Sequence, residues 1–92
     1  PQVDYFDVEL VADSPFYKPG NKLEMRLTSV LRVTNRDTTR ERQCRSFTDK
    51  GGQFSSPCLK PGEKWEMRFP NGGRWEIVDQ GIPFATATLE VG

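Results

Sequence analysis

The side chains in this sequence best suited to chemistry are four sulfur-bearing residues, Cys44, Cys58, Met25 and Met67, and a run of cations between Arg32 and Lys50. Two thiols cannot complete a cysteine-rich zinc site on their own. A lone cysteine pair in a small chain is most simply a disulfide, which points to an oxidising compartment, periplasmic or extracellular. Closing the loop from Cys44 to Cys58 would stabilise the fold by roughly 3 kcal/mol in the chain-entropy model. A competing reading leaves both thiols free, or uses them as thiolates for Cu(I) with Met25 or Met67 nearby. Methionine at an inward strand position is more often core filler.

What is missing excludes more. The chain has no histidine. A Ser–His–Asp or Cys–His triad is therefore impossible, and so are histidine zinc sites and histidine-ligated copper. Acid–base work would fall to carboxylates, lysine or tyrosine. No carboxylate pair stands at a defensible site and no glycine-rich phosphate cradle follows a strand. The chain is not expected to be an enzyme.

Lys plus Arg and Asp plus Glu number 13 each, so net charge selects no partner. The distribution is less even. Arg32, Arg36, Arg40, Arg42, Arg45 and Lys50 stand against Asp37, Glu41 and Asp49, whereas Asp4, Asp7, Glu9 and Asp13 precede the first base, Lys18. Such a dipole could steer an anionic partner, although a solvated loop of mixed charge is the simpler reading. Trp65 and Trp75 fall on inward strand positions rather than on stacking platforms, so no nucleic acid is expected. No apolar run approaches the ~20 residues that span a bilayer, so no direct membrane insertion is expected. The basic, apolar and small-residue triplet of a signal peptide is also missing, and the chain from Pro1 reads as a mature or trimmed form.

The elements that must position these residues are strands. Period-2 alternation dominates and no helix is expected. Phe6, Val8, Leu10 and Ala12 share one face. Leu23, Met25, Leu27, Leu31 and Val33 share another, opposite Glu24, Arg26 and Arg32. Trp65, Met67 and Phe69 alternate with Lys64, Glu66 and Arg68. Trp75 and Ile77 point inward from Arg74–Asp79, and Ala85, Ala87, Leu89 and Val91 from the last strand. Pro19-Gly20, Gly51-Gly52, Pro61-Gly62 and Asn71-Gly72-Gly73 mark the turns. Between Thr34 and Phe54 the pattern predicts a long loop with a short strand near Ser46–Thr48. The fold class expected is an all-β Greek-key β-sandwich, with residues 1–92 forming a single domain.

One motif repeats. Lys18-Pro19-Gly20-Asn21-Lys22-Leu23-Glu24-Met25-Arg26-Leu27 is close to Lys60-Pro61-Gly62-Glu63-Lys64-Trp65-Glu66-Met67-Arg68-Phe69. Each copy is a Pro-Gly turn feeding an alternating strand. Two copies are too few for a solenoid.

Residues 35–92, and more loosely the earlier strands, resemble the cupredoxins, the plastocyanin and azurin group of blue copper proteins. The carriers are Asn35-Arg36-Asp37, Arg45-Ser46-Phe47-Thr48, Phe54-Ser55-Ser56, Leu59-Lys60-Pro61-Gly62-Glu63, Gly73-Arg74-Trp75-Glu76-Ile77-Val78-Asp79 and Asp79-Gln80-Gly81-Ile82-Pro83-Phe84-Ala85. The spacing from Gly73 to Val91 is the specific part. The resemblance implies that the family's ligand positions fall at Arg45, Asp79, Ile82 and Ala85, where none of its copper ligands is present. It also implies that Arg45 and Asp79 converge, so an ion pair, bidentate where geometry allows, is expected there.

The resemblance thus implies a fold, while the residues veto type 1 copper chemistry. The expected function is a metal-free, cupredoxin-like binding or assembly module without a cofactor. Its partner is another protein or a further copy, met through the apolar tip Ile82, Pro83 and Phe84. The alternative is a copper-binding, electron-transfer or Cu(I)-carrier protein with non-standard Cys and Met ligands.

Overall fold

Alternating apolar residues on several short strands must bury one face each, and two sheets packed face to face achieve this. In the computed structural model, which describes residues 2–92, the strands are β1 (Tyr5–Leu10), β2 (Tyr17–Lys18), β3 (Lys22–Met25), β4 (Val30–Asn35), β5 (Thr48–Asp49), β6 (Lys64–Met67), β7 (Gly73–Asp79) and β8 (Ile82–Val91). They form two four-stranded sheets, β2-β1-β4-β6 and β3-β8-β7-β5. Two pairs are parallel, β1 with β4 and β3 with β8; β7 and β8 form a long antiparallel hairpin. The architecture is the expected all-β sandwich.

The core lies between the sheets. Val8 and Leu10 of β1, Leu31 and Val33 of β4, Leu23 of β3, Ile77 of β7 and Ala85, Leu89 and Val91 of β8 are all buried, as the alternation requires. Phe54, half-buried, fills one side of the sandwich among Trp65, Phe69 and Trp75, with ring centroids at 6.4, 5.5 and 6.1 Å. The Trp75 indole N–H donates to Gln53 Oε1 at 2.7 Å.

Three sequence expectations need correction. The run from Leu23 to Val33 is not one strand. It breaks at residues 26–29, where the Ser29 N–H donates to the Arg26 carbonyl at 3.0 Å, and the chain crosses from β3 in one sheet to β4 in the other. Leu27 lies in the crossover and is 38% exposed, although it keeps the period of its neighbours. The short strand expected near Ser46–Thr48 is β5, which starts two residues later, at Thr48, and ends at Asp49. The closing segment also differs, because β8 already begins at Ile82 and Asp79 pairs with Ile82 across a tight turn after an irregularity at Val78/Asp79.

Leu31→Ala should cost ~2–5 kcal/mol, as a buried leucine truncation does. Leu27→Ser should stay within about 0.5 kcal/mol, as surface changes do. Urea denaturation of the two variants checks the split; equal losses would place Leu27 in the core.

Candidate functional site

Arg45 follows Cys44 in the long connection between β4 and β5, and its backbone is pinned before its side chain is considered. The Arg45 N–H donates to the Leu59 carbonyl at 2.8 Å, and the Leu59 N–H returns to Arg45 at 2.7 Å. Cys44 and Cys58, one residue upstream on each segment, are joined as a disulfide with Cα atoms 5.3 Å apart. Asn35, at the end of β4, supports the same place. Its side-chain amide donates to the Leu59 carbonyl at 2.7 Å, and its Oδ1 accepts the Asp37 N–H at 2.8 Å. The Pro61-Gly62 turn docks there as well, with the Gly62 N–H on the Asn35 carbonyl at 2.7 Å; Gly62 has φ of 89°, which glycine adopts at low cost.

This frame aims the Arg45 side chain inward, where it is 0% exposed. Its Nε donates to Asp79 Oδ2 at 2.5 Å. Its Nη1 donates to Asp37 Oδ2 at 3.0 Å and to the Val11 carbonyl at 2.8 Å. Its Nη2 reaches the Phe16 carbonyl at 3.3 Å. A lysine could not meet four acceptors spread in this way; the rigid guanidinium fork can. Asp79 is equally committed: Oδ2 also accepts the Ser46 N–H at 3.3 Å, and Oδ1 accepts the Gly81 N–H at 2.9 Å. The last bond closes the two-residue turn between β7 and β8. Arg42 completes the cluster, donating to Asp37 Oδ2 at 3.2 Å and to the Ala12 carbonyl at 2.8 Å.

The expected Arg45–Asp79 pair is therefore present, but it is a single bond within a network, not a bidentate clamp. Sequence reasoning missed the second carboxylate, Asp37, which lies fully buried. The signal was available: the Asn35-x-Asp37 pattern is an Asx turn in which the first side chain holds the backbone of the second. Burial, the largest single influence on Asp37, raises its pKa. Hydrogen bonds from Thr39, Arg42 and Arg45 outweigh it and hold the carboxyl down at about 2. Tyr17 sits beside the cluster and donates its hydroxyl to the Ala85 carbonyl at 2.9 Å. Burial, aided by the Asp79 charge, pushes that phenol well above its ordinary range, so it remains a donor.

The apolar trio expected at the tip divides. Ile82 is 3% exposed and belongs to the core, because β8 starts there and turns it inward. Pro83 and Phe84 are exposed, Phe84 at 68%. Ala85 is buried. The Phe84 ring meets the edge of Phe16, a residue that sequence reasoning overlooked, at a centroid distance of 5.3 Å. Phe16 has φ of 71°, a conformation rare for a bulky side chain. Its carbonyl holds Arg45 and its ring lies 5.6 Å below the Arg42 guanidinium. The charge network, the half-buried Phe16 ring and the exposed Phe84 ring thus share one end of the sandwich.

No family model matches the chain, and no curated protein matches it. Solved structures do. A purple cupredoxin from Nitrosopumilus maritimus superposes with a TM-score of 0.72 at 20% identity, over 94% of this chain and 98% of that one. The Cu(I) form of an amicyanin variant gives 0.74 at 14% identity, over 100% of this chain and 86% of that one. The fold is that of a cupredoxin. A copper-containing nitrite reductase from Thermus scotoductus also contains it, at a TM-score of 0.78 and 16% identity, with this chain spanning 23% of that protein.

A type 1 copper ion needs two imidazoles and a thiolate. Arg45, Asp79, Ile82 and Ala85, where the sequence resemblance sets the ligand positions, carry a guanidinium, a carboxylate, an isoleucine and a methyl group. Only the carboxylate is a metal donor, and both its oxygens already accept hydrogen bonds. The residues present do not fit the ion. Among the described residues no group of three or more His, Cys, Asp or Glu side chains is arranged to hold a metal. The Cu(I) alternative loses its thiolates, since Cys44 and Cys58 are joined, and Met25 is core while Met67 packs half-buried against it.

Asp79→Ala should destabilise by ~3–5 kcal/mol, because it strands a buried guanidinium; a loss below ~1 kcal/mol in urea denaturation would show that Arg45 does not depend on it. Asp37 titrates near 3.8 when unfolded and at about 2 when folded. Its stabilisation is complete above the unfolded value and disappears as pH falls from about 4 to about 2. Asp37→Asn should flatten stability against pH in that window, measured by denaturation at each pH.

Proposed function

We propose that this chain is a metal-free cupredoxin-like module that binds another protein through its Phe84 end. The observation that carries the reading is the pairing of opposites at that end. A buried charge network joins Arg45 and Asp79, which the sequence resemblance sets at ligand positions, and beside it a 68% exposed aromatic ring is fixed against Phe16. A large exposed ring held in one orientation costs little entropy to dock, which is why aromatics anchor protein interfaces. Pro83 and Phe84 take the contact, with Phe16 as support; Ile82 serves the core beneath them. No catalytic role is assigned. The disulfide is consistent with a periplasmic or extracellular location, and we place the module there.

Phe84→Ser should change stability by about 1 kcal/mol or less, the scale of one aromatic edge contact. The same change should remove partners that the parent captures by cross-linking, while Arg74→Ser, on β7, leaves them bound. An unchanged partner set for Phe84→Ser, or a core-sized stability loss of ~3–5 kcal/mol, would overturn the assignment. Titration with Cu(II) should give no intense visible thiolate-to-copper band; one equivalent bound with such a band would overturn the metal-free part.

A further inference from the structure

The Cys44–Cys58 disulfide lies at the surface of the fold. Cys58 is exposed and Cys44 half-buried, although Arg45 and Leu59, which follow them, are both buried. The two cysteines line one side of a groove of about 270 Å³, whose other walls include Glu41, Arg42, Gln43, Ser46 and Gln80. The lining is polar and carries both signs of charge, so it favours no strongly charged visitor.

The segments that carry the cysteines are also paired by bonds other than the disulfide. Arg45 and Leu59 exchange two backbone hydrogen bonds. The Ser56 N–H donates to the Phe47 carbonyl at 3.0 Å, the Phe47 N–H donates to Ser56 Oγ at 2.8 Å, and the Asp49 N–H donates to the Phe54 carbonyl at 3.1 Å. The Asn35 amide holds Leu59 from β4. This pairing keeps the two sulfurs within reach of one another when the bond between them is open, so closing it again is an intramolecular step. Exposed disulfides are the labile class, in contrast to staples sealed in a core.

We propose that the Cys44–Cys58 disulfide is a thiol-exchange site, opened by a dithiol in the folded protein. The thiolate attacks the more exposed sulfur, Cys58 Sγ. A new S–S bond forms there, the Cys44–Cys58 bond breaks, and its electron pair leaves on Cys44 Sγ as a thiolate, which takes a proton from water. The second thiol of the same reagent then attacks its own sulfur in the mixed disulfide and releases Cys58 as a thiolate. The dithiol is oxidised to a disulfide by two electrons, and this cysteine pair is reduced by two. The inference is independent of the Phe84 reading, because no step involves that ring.

The folded chain and dithiothreitol test it, with free thiols alkylated and weighed over time. The rate of opening should double when the reagent doubles. Far-UV circular dichroism should keep its strand signal in the reduced protein, and the Arg45, Phe47 and Leu59 amides should stay protected from hydrogen exchange. A rate that levels off as reagent is added, as it does when unfolding must come first, would overturn the proposal, and so would loss of the strand signal on reduction. Reduced glutathione, with each released thiol alkylated as it forms, identifies the sulfur attacked. Peptide mapping should find glutathione on Cys58 and the alkyl group on Cys44; the reverse pattern would overturn the assignment of Cys58.

Discussion

A guanidinium shut away from water must be neutralised and hydrogen-bonded, or the fold does not form. Arg45 places that demand at the centre of one end of the sandwich. Its four bonds reach Asp79 at the end of β7, Asp37 in the loop after β4, and the Val11 and Phe16 carbonyls between β1 and β2. Three segments far apart in sequence are thereby tied to one side chain. A buried ion pair is poor evidence of net stability, since an apolar substitute of the same shape can do as well. What it supplies is geometry. The carbonyls, carboxylates and turn around Arg45 each have one arrangement that leaves nothing unpaired.

The same constraint explains the surface above it. Phe16 holds a backbone conformation that a phenylalanine rarely takes, and the bond from its carbonyl to Arg45 helps keep it there. Its ring then meets Phe84, and the Arg42 guanidinium lies over the same ring while reaching back to Asp37. A set of charges organises this end. The fold by itself leaves open what a site on it does.

The uneven charge along the chain has little left to steer with once folded. Parallel pairing of β1 with β4 sets Asp7 opposite Arg32, and the two meet at 2.6 Å; Arg36, just beyond β4, reaches Glu9 at 3.2 Å. Arg45 and Asp37 are buried together. Two of the four acidic residues at the start of the chain thus pair with bases of its middle.

The sequence by itself determined the strands, the disulfide and the absence of every imidazole. Alternation is a local property, a lone cysteine pair leaves few options, and composition needs no structure. It also placed Arg45 against Asp79, because the cupredoxin-like segments Arg45-Ser46-Phe47-Thr48 and Gly73–Asp79 together imply that those two residues converge. Tertiary structure decided the rest. Leu27 follows the period of Leu23 and Met25 yet sits outside, because the chain changes sheets at that point and period says nothing about which sheet a strand joins. Ile82 looked like a tip residue but is core, because the Asp79 carboxylate closes a two-residue turn and starts β8 early. Asp37 and Phe16 were not chosen from sequence, since their importance lies in meeting Arg45, which comes 8 residues after one and 29 after the other. Contacts of that kind depend on where loops cross in three dimensions; the Asn35-x-Asp37 pattern marks a local turn, but not the guanidinium that meets it.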